Sequence, residues 1–115
     1  MHTSIFVTLQ LEGLHRWPLA NEIQPEVGFL SNVHRHMFHF YLEKLVYHDD
    51  RDIEFIMFKR DVTSYLLKTY MNSNGVLDFD SKSCEMIAID LLNKFKCTIV
   101  SVSEDGENGA KITAI

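Results

Sequence analysis

The sequence predicts a single α+β domain, residues 1–115, in which two helices cover one face of an antiparallel sheet. Three observations carry this expectation: apolar residues alternate with period two near both ends of the chain, two segments between residues 59 and 95 carry helical stripes, and strand-like and helix-like stretches come grouped rather than alternating. The expected order is β-β-β-α-α-β-β.

In the first strand, about residues 4–12, Ile5, Val7, Leu9 and Leu11 alternate with Ser4, Thr8, Gln10 and Glu12, and Phe6 is the one intruder. Residues 13–31 are punctuated by Gly13, Pro18, Asn21, Pro25 and Gly28 and read as a long loop, of the kind that is either functional or disordered. Because it holds His15, Arg16 and Trp17, a functional loop is expected. From Val33 to His48 the chain is rich in aromatic and β-branched residues; a turn at Asp49-Asp50-Arg51 and the run IEFIMF follow, which together predict a long hairpin.

From Lys59 the period changes. Val62, Tyr65, Leu66, Thr69 and Tyr70 form a helical stripe that Asn72, Asn74 and Gly75 end, and Cys84, Ile87, Ala88, Leu91, Leu92 and Phe95 form a second, with Asp80, Ser81 and Ser83 as candidate caps. Residues 97–103 and 110–115 read as closing strands around the turn Glu104–Gly109.

The composition is that of one globular domain: 46% hydrophobic, 23% charged, and a net charge of -5 from 11 Lys+Arg against 16 Asp+Glu. This balance disfavours nucleic acid as a partner. With only Cys84 and Cys97, no disulfide scaffold is expected, and a reduced, cytoplasmic protein is the default. No run reaches the ~18 uninterrupted apolar residues of a spanning helix, and the N-terminus lacks an export signal, so no membrane partner is expected. A domain this small buries roughly two thirds of its unfolded surface, so self-association would add appreciable burial.

Five of the six histidines lie between residues 15 and 48. Residues two apart on a strand point the same way, so His34 and His36 can reach one ion, and His15 arrives from the end of the first strand. Three imidazoles would leave one tetrahedral position of a Zn²⁺ for water or substrate. The competing reading is a solvated strand face, on which an H-x-H pair holds nothing. Phe38, Phe40 and Leu42 continue the His34/His36 face and place the proposed ion at the rim of an apolar cavity, whereas His2, His39 and His48 read as surface residues.

The chain resembles the 6-pyruvoyl/6-carboxytetrahydropterin synthase superfamily, and the likeness extends in order along nearly the whole sequence. Leu14-His15-Arg16-Trp17 is similar to that family's A-H-R-L segment, and His34-Arg35-His36-Met37-Phe38 to its H-G-H-N-Y segment. Residues Glu54–Val62 resemble the G-M-V-V-D-F-x-x-L-K stretch, Ser83-Cys84-Glu85 the T-S-E at the second helix, and Val102-Ser103-Glu104-Asp105 the late V-x-E-T. The resemblance implies the tunnelling fold assembled into ring-based homo-oligomers, zinc ligands at His15, His34 and His36, and a pterin- or purine-type ring bound near Ser83, Glu85 and Glu104. Glu104 would anchor the ring's N–H edge, since a carboxylate accepts two parallel hydrogen bonds from an amino-pyrimidinone.

The pattern departs from the family at its proton-transfer groups. The approach to His34, Gly28–Val33, holds no Cys, and Glu26, farther upstream in the 13–31 loop than the family's base position, is the candidate base. No Asp-His pair follows the first helix, and no His occurs after His48. A positioned proton-transfer group contributes roughly 10²–10⁴-fold. The sequence therefore leaves three readings open: a zinc lyase with Glu26 or water as base, a non-catalytic binder of purine-type ligands that has lost the relay, or a purely structural oligomer in which the histidine cluster does nothing.

Overall fold

Alternation near the chain ends builds the sheet. The structure, a computed structural model describing residues 1–114, has strands β1 (Thr3–His15), β2 (His34–Val46), β3 (Ile99–Glu104) and β4 (Asn108–Thr113) in the order β1-β2-β3-β4, every neighbouring pair antiparallel. Three helices accompany them: α1 (Ala20–Ile23), α2 (Phe55–Tyr70) and α3 (Cys84–Phe95). The observed order is thus β-α-β-α-α-β-β, with a 3-10 helix, Pro25–Ser31, between α1 and β2. Ile115, the last residue of the expected closing strand, lies outside the described residues.

One face of the sheet supplies Val7, Leu9, Phe38, Phe40, Leu42, Val100 and Val102 to the core, where they meet Phe58, Val62, Leu66 and Tyr70 of α2 and Ile87, Ala88 and Leu91 of α3. Both long helices therefore cover the same face, as expected. On the other face, exposed Phe6, the intruder in the first strand, stacks on Tyr41 with ring centroids 5.5 Å apart.

Two expectations are corrected. The run IEFIMF is not a strand: Glu54 caps α2 by accepting from the Ile56 and Met57 amides, and Phe55, Ile56 and Met57 are exposed. Phe58 is the buried member, four residues before Val62, so the helical stripe simply begins one turn earlier than its strongest part. Consequently the expected long hairpin does not form, and β2 pairs instead with β1 over all 13 residues and with β3. The loop expected over 13–31 is also shorter and more ordered, because Gly13, Leu14 and His15 belong to β1.

The segment between α2 and α3 holds the end of β1 in place. Leu14 donates its amide to the Leu77 carbonyl (3.0 Å), Phe79 donates to Leu14 (2.8 Å), and Arg16 donates to Asp80 (2.8 Å), while the Leu77 and Phe79 side chains are buried. This fastening carries the chain past His15 to Lys82 and on to Ser83, which caps α3 by accepting from the Met86 amide. No helix among the described residues is long and apolar enough to cross a membrane.

Candidate metal centre

Strand register assembles the site. His15 lies directly opposite His34, Gly13 opposite His36, and Phe38 opposite Glu104. Because His15, His34, His36, Phe38 and Glu104 all project from the helix-covered face, three imidazoles and one carboxylate meet over the Phe38 ring. The histidine ring centroids are 4.6 Å (15–34), 5.4 Å (15–36) and 5.1 Å (34–36) apart, and His15 meets Phe38 edge-on at 5.1 Å. Gly13 leaves room for this cluster: a Cβ there would sit 3.0 Å from Phe79 and 3.2 Å from Phe38.

Each imidazole is oriented through its Nδ1. That atom is 3.1 Å from the Lys82 carbonyl in His15, 2.8 Å from the Asn32 carbonyl in His34, and 2.8 Å from Asp105 Oδ2 in His36. Carbonyl and carboxylate oxygens only accept, so Nδ1 carries a proton in all three rings, and in the neutral form that a metal needs the lone pair is left on Nε2. Metal-ligating histidines are held in this way, with the far nitrogen bonded to a carbonyl or carboxylate. Burial holds the His15 pKa below the usual imidazole range, favouring the neutral form that a metal needs.

Buried His15 Nε2 has no hydrogen-bond partner among the described residues. Its neighbour, Glu104 Oε2, is 2.8 Å away but lacks hydrogen-bond geometry, and His36 Nε2 is 3.5 Å from Glu104 Oε1. A buried polar atom without a partner is costly, and a cation among these donors would satisfy it. One donor atom from each of His15, His34, His36 and Glu104 lies within 4.8 Å of the others, so this group can hold a metal ion.

His15, His34 and Glu104 of the cluster line a cavity of about 560 Å³, within the range of small-molecule sites. Trp17, Leu30 and Met86 give it apolar surface; Ser83, Glu85, Asn108 and Glu104 supply polar groups. The expected ligand-binding residues Ser83, Glu85 and Glu104 therefore share one cavity with His15 and His34. Glu26 stands apart, exposed on the 3-10 helix and absent from the lining. His2 and His48 are exposed, and His39 lies on the opposite face of β2 from His34 and His36. Burial pushes the Cys84 thiol up to about 12 and the Cys97 thiol up to about 11, so neither offers a thiolate at neutral pH.

Sequence reasoning passed over Asp105. Its φ of 58° turns the chain out of β3, its Oδ1 accepts from the Met37 amide (3.0 Å), and its Oδ2 holds His36. Those two contacts, the Met37 hydrogen bond foremost, keep its carboxyl below the usual carboxylate range. The signal available was the Glu-Asp-Gly turn directly after the last apolar residues of a strand.

No protein-family model matches the chain, and no curated protein does. Among solved structures, it is similar to 6-pyruvoyl tetrahydropterin synthase from Caenorhabditis elegans, with a TM-score of 0.72 and 14% identity over 100% of this chain and 97% of that one. It is also similar to an uncharacterized protein from Wolinella succinogenes, with a TM-score of 0.59 and 12% identity over 98% of this chain and 99% of the other. The chain therefore has the fold of 6-pyruvoyl tetrahydropterin synthase, as the sequence resemblance implies.

Proposed function

We propose that this chain is a divergent member of the 6-pyruvoyl/6-carboxytetrahydropterin synthase superfamily. In this reading it holds Zn²⁺ through Nε2 of His15, His34 and His36 and takes a pterin- or purine-type ring in the adjoining cavity. The observation that carries the reading is the anchoring of all three Nδ1 atoms to acceptors, which leaves Nε2 as the nitrogen free to ligate in a group whose donor atoms lie within 4.8 Å of one another. Three neutral imidazoles with a nearby carboxylate suit zinc better than the hard cations, which prefer oxygen donors. A bound zinc would supply Lewis-acid polarisation of a ligand carbonyl or hydroxyl. Glu104 anchors the ring's N–H edge, while Ser83 and Glu85, at the start of α3 and in the same cavity lining, contact the ring.

Two observations favour a binder over a lyase. Glu26 is exposed and outside the cavity lining, and both thiols are buried with raised pKa values. Self-association into a ring fits the sheet: β4 has no strand partner on its outer side among the described residues, and on β1 only the end, at Leu14, is bridged there, by the segment through Asp78. The two unpaired cysteines support a cytoplasmic location. The test is to mix zinc-loaded protein with 7,8-dihydroneopterin triphosphate, following binding by calorimetry and turnover by chromatography. Saturable binding without product is the expected result. Product formation would establish a lyase, and no binding of this ligand, of guanine or of a simple pterin would overturn the ring-pocket reading.

A further inference from the structure

We infer that Glu104 is itself a ligand of the ion, so that in the ring-free protein three imidazoles and one carboxylate complete a four-coordinate site with no open position. The inference rests on the metal-site reading above and assigns Glu104 a second role that competes with its anchoring of the ring. The Glu104 carboxylate faces two Nε2 atoms, at 2.8 Å in His15 and 3.5 Å in His36, and its side chain has no other polar partner among the described residues. In the neutral rings that a metal needs, both nitrogens present lone pairs, because Nδ1 carries the one proton. Lone pairs on nitrogen and on a carboxylate repel at such distances unless a cation lies between them.

The spacing agrees with shared coordination. Zinc bonds of about 2.0–2.2 Å at the tetrahedral angle separate neighbouring donor atoms by about 3.4 Å. The separation of His36 Nε2 from Glu104 Oε1, 3.5 Å, matches this value and makes Oε1 the oxygen placed to ligate, while the other oxygen, Oε2, lies 2.8 Å from His15 Nε2. Strand register supplies the placement: Glu104 stands opposite Phe38, one side-chain position along the same face from His36. A site closed in this way is of the structural type, in which all positions are filled by protein. A ring that takes Glu104 as its N–H acceptor must first draw the carboxylate off the ion, so ring binding opens the metal.

The experiment uses the full chain loaded with Co²⁺, whose visible spectrum reports coordination, and azide as the exogenous ligand. The spectrum of wild type is expected to be that of a four-coordinate site and to stay unchanged as azide is added. In Glu104→Ala it is expected to shift on loading and to respond saturably to azide, with metal affinity lowered at least about 10- to 100-fold, the range seen for changes to outer-shell partners alone. If the alanine variant does not fold, Glu104→Gln serves, and the wild-type azide titration is decisive without either. A saturable azide response in wild type, or identical spectra in wild type and variant, overturns the inference and leaves the three-histidine site standing. Failure of wild type to bind Co²⁺ overturns both.

Discussion

Replacing Asp105 with Asn separates the orientation of a ligand from its presence. The Asp105 carboxylate accepts from His36 Nδ1 at 2.8 Å with one oxygen and from the Met37 amide at 3.0 Å with the other. Asparagine tolerates the φ of 58° at this position and has a single carbonyl oxygen, so it preserves the turn but loses one of the two bonds and the charge. The backbone bond from the Asp105 amide to the Met37 carbonyl, 2.7 Å, is untouched. Loss of a carboxylate behind a metal-bound histidine typically costs 10- to 100-fold in affinity, or about 1.4–2.8 kcal/mol. The side chain is 43% exposed, so the metal-free protein should lose little stability. Zinc affinity measured by competition with a chromophoric chelator, and urea unfolding in the presence of a strong chelator, read the two quantities separately. An affinity within twofold of wild type would refute the reasoning. So would a stability loss large enough to account for the whole affinity change.

Gly109→Ala should cost about 3 kcal/mol, the upper part of the range for overpacking. A Cβ there would lie 2.2 Å from the Val102 carbonyl oxygen and 2.5 Å from Ser103 Cα, backbone atoms that cannot swing aside. Gly75→Ala, at a φ of +76° with no atom within 4 Å of the new Cβ, should cost only about 1–2 kcal/mol, and urea denaturation of the two variants compares them directly. Stability should also fall as pH rises above about 9. An unfolded thiol loses its proton near 8.5, whereas the folded thiols titrate at about 12 (Cys84) and about 11 (Cys97), so across that window the unfolded chain binds fewer protons. Tyr70, raised by burial and by Asp90, acts in the same direction. Urea midpoints that stay level between pH 8 and 10.5, or rapid thiol labelling of native protein at pH 8, would contradict this.

The grouping of the candidate metal ligands was legible in the sequence because strand geometry is local. Period two places His34 and His36 on one face with Phe38 and Phe40, and the same parity carries His15 onto the buried face of β1 with Val7 and Leu9. Pairing was less legible, since which strand lies beside β2 is decided by contacts far along the chain: Glu43 meets Ile99, and Thr3 meets Val46. IEFIMF misled because the first turn of α2 is apolar yet exposed, and its cap is Glu54, a residue type outside the usual Ser, Thr, Asp and Asn. Asp105 escaped notice for a related reason. An exposed acidic residue in a turn acquires its role only when the register brings β2 beside it.

Metal analysis of the purified protein tests the central claim most directly, with His34→Ala and His39→Ala measured beside wild type. Wild type and His39→Ala should each hold one zinc per chain after dialysis against metal-free buffer, and His34→Ala should hold far less. Wild type that takes up no zinc, or loss of zinc in His39→Ala equal to that in His34→Ala, would contradict the account.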